Sequence, residues 1–400
     1  MANHSEKGSL PMVNRKPSVR RKHLPTSPRG RRLGLEPLES RRLLTLYIVD
    51  SLGDDTVADG WLTLREAIGA ANCNCQVGDA LPGSGADEIR FHPDLAGGTI
   101  RLTRSSVPYL VAEDLTIVGL GKNLLTIDGD VNGDGKGDTR HFDVNAGVTL
   151  TMSDLTLTNG YASEGTSGGS IYADGTLVLW NCVLSNNYAG VDGGAIYASA
   201  KSPSVTLTNS KVTGSTAFGR GGGVVQLGGS LRIDHSEISH NTADSGGGIY
   251  SSGPLEILDS SLVKQNTAAG DGGGIWAEDE LTIRESDVQK NTARRGGGVY
   301  ARYGSASLTN ADFRENTATV DGGGWLSQWY GFVQVSDCTF ADNHADRNGG
   351  AIWGLNSAEI GNTQFQRNTA GNAGGRFFRG ESCTSCSACS TQMEQLGAVP

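Results

Sequence analysis

Apolar and polar residues alternate along short stretches of this chain, and the stretches return at a near-constant interval. VTLTMS begins at 148, LVLWNC at 177, VTLTNS at 205, LRIDHS at 231, LEILDS at 255, LTIRES at 281 and VQVSDC at 333. Alternation at period two predicts strands with one face buried. A few residues after each stretch comes an Asn, then a polar bend, a glycine cluster, and Ile or Val followed by an aromatic ring, as in NTAAGDGGGIW at 266–276. The Asn register runs Asn159, Asn187, Ser215, Asn241, Asn266, Asn291, Asn316, Asn343 and Asn368, at intervals of 25 to 28 residues. No part of the unit is long enough for a helix.

A unit of this size, holding two or three short strands, cannot bury its apolar face alone. Stacked copies can, so the repeat predicts an all-β solenoid: a parallel β-helix rising about 4.8 Å per coil. An Asn recurring at one corner is then expected to stack on its neighbours, its amide meeting backbone groups that the bend leaves unpaired. That assigns Asn187, Asn241, Asn266, Asn291, Asn316, Asn343 and Asn368 to a structural ladder. The glycines mark a tight corner. They are followed by a strand, with no Lys-Ser/Thr and no helix, so a phosphate-binding loop is excluded.

The aromatic after each glycine cluster is the better candidate for function. Tyr172, Tyr197, Tyr250, Trp276, Tyr300, Trp353 and Phe378 follow an inward Ile, Val or equivalent, so alternation points them outward; Val225 and a shifted Trp325 interrupt the series. Such a ladder stabilises neighbouring coils by ring stacking, and an exposed strip of it would grip sugar rings or another protein.

Ahead of the repeats, residues 47–72 read as a strand, an acidic turn and a short amphipathic helix. Leu62, Leu64, Ala67, Ile68 and Ala71 form its apolar face and Thr63 its cap. A solenoid needs its first coil covered, because a bare parallel edge recruits other strands. Strand patterns continue from 88 to 147 with longer excursions. One of these, DGDVNGDGKGD at 128–138, places Asp130, Asn132, Asp134 and Gly135 as the opening of a calcium loop, with Asp138 as a further oxygen. Position 12 of that loop is His141 rather than Glu, so the expectation is weak calcium binding at most.

Several motifs resemble known families. GGAIY (193–197), GGAIW (349–353), FRENTA (313–318), FADNHA (340–345) and FQRNTA (365–370) resemble the polymorphic outer-membrane protein repeat. That resemblance implies a right-handed, single-stranded parallel β-helix at the cell surface, in proteins associated with adhesion; the membrane barrel expected of that family is not recognisable here. LTLREA at 62–67 resembles the CSLREA domain, with Leu62 and Thr63 in place of Cys and Ser, which implies a cap in front of an exported β-helix. LGLEPLESRRLLT at 33–45 resembles the LEPR-XLL type of export leader. The expected organisation is a basic flexible leader over 1–45, a cap over 46–87, irregular coils over 88–147, about nine repeats over 148–380 and a Cys-containing tail over 381–400.

Charge and composition narrow the function. Residues 1–45 carry eleven Lys or Arg against three Glu, so with a total of −10 the remainder carries −18. An acidic body repels phosphate, which argues against nucleic-acid binding. No run of 18 apolar residues exists, so no transmembrane segment is expected. The seven cysteines form no even framework, and Cys383, Cys386 and Cys389 have metal-ligand spacing without a nearby fourth ligand.

Many β-helices act on polysaccharides, which requires clustered carboxylates with a Lys or Arg on one face. Asp192, Asp244, Asp271 and Asp321 lie at unequal offsets and are interleaved with Arg220, Arg294, Arg295 and Arg347, while His235, His240 and His344 are scattered. No catalytic residue is assigned. The expected function is a non-enzymatic exported or cell-surface adhesin, binding scaffold or rigid spacer, without a cofactor beyond calcium, outer-membrane associated, with glycans or surface proteins as partners and end-to-end association through the last coil. A polysaccharide lyase or glycoside hydrolase is the alternative.

Overall fold

The computed structural model describes residues 44–103, 107–328, 331–355, 357–372 and 374. Apart from Leu44 and Thr45, the leader lies outside these residues, as does the tail. The chain winds as a parallel coil whose turns pair in register with the turns before and after. Each full turn visits four walls. In one turn these are Leu255–Leu258, Leu262–Lys264, Thr267–Ala268 and Ile275–Ala277. Among the described residues the walls hold 12, 11, 9 and 10 strands in that order. The fold is the predicted all-β parallel solenoid.

Its interior is built from like side chains stacked on like. Leu231, Leu255 and Leu281 form one file and Ile233, Ile257 and Ile283 the next, all fully or almost fully buried. The Phe of the F-x-x-N element belongs to this interior: Phe313 and Phe340 stack with centroids 4.5 Å apart, and Phe365 follows at 5.4 Å. Trp325, shifted by one residue in the sequence, points inward and meets Phe313 edge-on.

The Asn ladder forms, and it is buried. The backbone N–H of Asn241 donates to Asn266 Oδ1 at 3.0 Å, and Asn241 Nδ2 donates to the same oxygen at 3.0 Å and to Val212 O at 3.1 Å. Asn266, Asn291, Asn316 and Asn343 repeat the pattern one coil further each time. Asn368 is the last described rung. The register needs one correction. Asn159 is not a rung: it takes φ +55° one residue early, and Gly160 N–H donates to Asn187 Oδ1 instead.

A second ladder at another corner escaped the sequence reading. Cys182 N–H donates to Ser210 Oγ, Ser210 to Ser236, Ser236 to Ser261 and Ser261 to Ser286, at 2.9–3.2 Å. Ser210, Ser236 and Ser286 end alternating stretches quoted above and Ser261 follows one by a single residue, so their signal was present as a spacing of 25 or 26 residues. At the glycine corner, Gly246 takes φ +63°, and a Cβ on Gly247 would stand 2.4 Å from Gly273 O of the next coil. Only a glycine lets the coils approach so closely.

The helix α1 (Leu64–Cys73) packs on the first strands of the first and fourth walls, as a cap should. Thr63 and Glu66 complete a reciprocal capping box. Asp54 anchors the helix below. Arg65 grips its carboxylate at 2.8 and 3.0 Å and Tyr109 Oη donates to it at 2.8 Å. Cys73 and Cys75, at the end of the helix, form a disulfide, while Cys182 and Cys338 are buried thiols that burial pushes up to about 12 and about 11.

Two outcomes follow from these interiors. Replacing Asn291 with Leu strands the buried N–H of Asn266 and should cost about 3 kcal/mol in denaturant unfolding, whereas Asn291→Ser should cost clearly less, since Ser215 already serves as a rung. Equal losses would remove the ladder's energetic role.

His141 is fully buried with Nδ1 3.0 Å from Ser170 Oγ, and burial lowers its pKa to about 4. The unfolded chain takes up a proton near pH 6.5 and the folded chain only near 4, so stability is lost as pH falls through that window, by about 3 kcal/mol. His141→Leu should flatten that part of the stability profile.

Candidate functional site

The outward file of the fourth wall runs Leu110, Asp143, Tyr172, Tyr197, Val225, Tyr250, Trp276, Tyr300, Leu326 and Trp353, one residue per coil. As far as Trp353 the predicted ladder is therefore one continuous column, with Leu326 rather than Trp325 at its broken position; Phe378 lies outside the described residues. Val225 divides it into two stacks.

In the longer stack, Tyr250 and Trp276 have centroids 4.1 Å apart and Trp276 and Tyr300 6.1 Å, with interplanar angles of 9° and 17°. Rings 4.1 Å apart lie face on face, so they occupy one another's flat surfaces. Guanidinium groups lie over the rings too. The Arg220 guanidinium lies 4.9 Å from the Tyr250 centroid, Arg295 5.3 Å from Tyr300 and Arg302 5.9 Å from Trp276. Asp192 and Asp271 fix the first two in paired bonds of 2.5–3.2 Å. Tyr250, Trp276 and Tyr300 are left only 8, 6 and 3% exposed. The expected open strip for sugar rings is thus closed here, because arginines roof it over.

The column opens at its N-terminal end. Tyr172 and Tyr197 stack at 5.2 Å, both are half-buried, and the residue before Tyr172 in the column is Asp143, not a ring. Here the wall is indented by a cleft of about 550 Å³ bordered by Arg140, Asp143, Asn145, Tyr172, Asp174 and Tyr197 and by the bend at 165–167.

Its side chains are held in place. Arg140 donates from Nε to Gly168 O at 2.7 Å, from Nη2 to Ser167 O at 2.5 Å and from Nη1 to Asp143 at 2.5 Å, with its guanidinium 5.3 Å from the Tyr172 centroid. Burial raises the Asp174 carboxyl, but bonds from Lys201 Nζ at 2.7 Å and Ser199 Oγ at 2.5 Å outweigh it and hold the group below the usual carboxylate range. Burial, then Asp174, raises the Tyr172 phenol, which stays neutral. The cleft therefore offers a ring, a fixed cation, ionised acceptors and amide and hydroxyl groups. With Asp174 lowered and Tyr172 raised, neither is a proton donor poised near neutrality.

Of the carboxylates weighed as catalytic groups, Asp192, Asp271 and Asp321 share one column, each directly before the positive-φ glycine of its corner, so their offsets are equal, but Arg220 and Arg295 stand between them in that column. Asp192 and Asp271 hold arginines, Asp321 accepts from Asn348 Nδ2 at 2.6 Å, and Asp244 is exposed. Among the described residues, the carboxyls raised above their ordinary range are Glu66, in the helix cap, and Asp287, on the second wall; burial is the first cause of both. Neither borders the cleft. His344 bonds Asp346 at 3.0 Å and His235 bonds Asp234 at 2.5 Å, on separate coils. The cleft residues Arg140, Asp143 and Asn145 were missed because they precede the regular repeats and carry no periodic signal.

The loop at 128–138 folds on its own carboxylates. Asp130 accepts from the backbone N–H of Gly133, Asp134 and Gly135, and those bonds, against burial, hold it below the usual range. Asp138 accepts from Val131, from Asn132 N–H and from Asn132 Nδ2, and Asp134 from Lys136. His141 is drawn into the coil interior and is no part of the loop.

The right-handed β-helix region model matches residues 140–324 and 195–390. No curated protein sequence matches. The chain is similar in structure to the A-modules of two mannuronan C-5 epimerases of Azotobacter vinelandii. For AlgE6 the identity is 14%, with 81% of this chain and 93% of that one covered at a TM-score of 0.39. For AlgE4 it is 13%, with 83% and 97% covered at 0.40. Likeness at this distance says nothing about chemistry.

Proposed function

The chain belongs to the right-handed β-helix family, and on that premise we propose that it is a non-enzymatic, exported binding scaffold: a rigid coil that holds glycan in the cleft beside Tyr172. The observation that carries the proposal is the open end of the aromatic column. It puts a half-buried ring beside an indentation whose polar groups are already oriented by bonds to the frame. Concave sites with a ring and a few fixed polar groups suit sugars, which present a C–H face and a hydroxyl rim.

The charge selects among glycans. Asp143 and Asp174 accept from hydroxyls or ammonium groups, and a body of −18 repels uronates, so neutral or amino-sugar chains fit and polyuronates do not. Support for export and a surface location is the resemblance of residues 33–45 to a leader, of 62–67 to an exported cap domain and of the F-x-x-N elements to a surface repeat. Among the described residues no helix is long and apolar enough to cross a membrane.

The full chain on a glycan array should retain neutral or amino-sugar oligosaccharides. Tyr172→Ala should weaken the best of them roughly tenfold, while Tyr300→Ala should leave binding unchanged in protein that is still folded. Retention indifferent to Tyr172 overturns the site. Shortening or chemical change of a bound oligosaccharide would replace the scaffold with the alternative, a polysaccharide-active enzyme.

Calcium at Asp130, Asn132, Asp134 and Asp138 is a second proposal. It rests on these four side chains being gathered into one closed turn by their own backbone. Millimolar calcium should produce binding heat that Asp134→Ala abolishes; no heat in the parent chain removes the site.

A further inference from the structure

The corner between the first and second walls carries a polar residue with positive φ in each regular coil: Asp154, Asn181, Asn209, His235, Asp259, Glu285, Asn310, Asp337 and Asn362. Over much of its length the column satisfies itself by passing amide bonds from coil to coil. Asn181 Nδ2 donates to Asp154, Asn209 Nδ2 to Asn181 Oδ1 at 3.1 Å, and Asn362 Nδ2 to Asp337. At His235 and Asp259 the chemistry changes. An imidazole stands one coil before a carboxylate, and Asp234 adds a second carboxylate from the adjoining strand end. The donor atoms of the three all lie within 4.8 Å of one another.

The backbone is altered at the same place. From the first inward residue of the first wall to the corner serine there are five steps in the neighbouring coils, Leu231 to Ser236 and Leu281 to Ser286, but six from Leu255 to Ser261. The extra residue puts both Asp259 and Ser260 at positive φ, 51° and 62°. The added residue is Ser260, which widens the corner just after Asp259. Leu258 is paired with Asp234, so Asp259 follows directly opposite His235.

We propose that Asp234, His235 and Asp259 form a zinc-class transition-metal site that joins two successive coils. One imidazole nitrogen and two carboxylate oxygens are the donor set of an open zinc site, with water completing the coordination. The imidazole nitrogen selects such an ion over calcium, which takes oxygen alone. Arg232 binds Asp234 at 2.8 Å and Arg284 binds Asp259 at 2.8 Å, so both carboxylates are oriented, and the two cations reduce the affinity. Glu256 and Glu285, bound to these arginines, keep the group of six charges net negative. A metal here would tie one coil to the next and stabilise the rod by mass action.

The test uses the full chain with Cys383, Cys386 and Cys389 replaced by Ser, since those thiols would compete for zinc. Titration with zinc against a chromophoric chelator at pH 7.5 should show one equivalent with micromolar affinity, and zinc should raise Tm. His235→Asn is the decisive variant. Asn occupies this corner in four other coils and tolerates positive φ, so the fold persists while the nitrogen ligand is lost. It should abolish both the zinc uptake and the Tm shift, and Asp259→Asn should weaken uptake roughly tenfold or more. No uptake by the parent protein, or uptake unchanged in His235→Asn, overturns the proposal.

Discussion

Everything in this molecule depends on each corner being satisfied by the coil above it. A bend takes backbone N–H groups out of the strand pairing, and in a narrow interior no water replaces the lost partner. The chain answers with a different residue at each corner: Ser at the first, Asn at the second, and Gly where two backbones nearly touch. These side chains reach along the axis, not into their own turn, so each coil completes its neighbour. The repeat is the visible trace of that requirement, and the hydrophobic files inside can be uniform because polar side chains at the corners hold the coils in register.

That dependence explains what could be read from residues alone. Asn recurs ahead of the glycine cluster and is rare enough as a buried residue that its spacing stood out; the alternating stretches predicted the strands, and Thr63 the helix cap, while its partner Glu66 was not foreseen. Ser210, Ser236, Ser261 and Ser286 obey the same spacing, but serine is so frequent in this chain that the row did not separate from its background. Asn159 shows the limit of residue matching. It looks like a rung, yet the bond falls to the backbone of Gly160 beside it.

The candidate site was less legible for a different reason. Alternation correctly sent the aromatic column outward, but outward is not the same as exposed. What covers Tyr250 and Tyr300 is Arg220 and Arg295, each anchored by an aspartate about one coil earlier, and no local pattern links the three. The cleft arises where the rings stop: Asp143 takes the place of a ring before Tyr172, in a coil that precedes the regular repeats. His141 was likewise read as part of a surface loop, whereas it fills the interior.

The Asn ladder has a sense as well as a spacing. Every rung from Asn241 to Asn343 sends its backbone N–H and one Nδ2 hydrogen to the following coil and offers its side-chain oxygen to the preceding one, while the second Nδ2 hydrogen turns back to a carbonyl of the preceding coil, so the stack is polar along the axis. The two ends of such a stack are chemically unlike. One coil can be laid on another in only one orientation, so any growth by further coils would be head to tail and open-ended. The helix packed over the first turn acts as a stopper against that polymerisation.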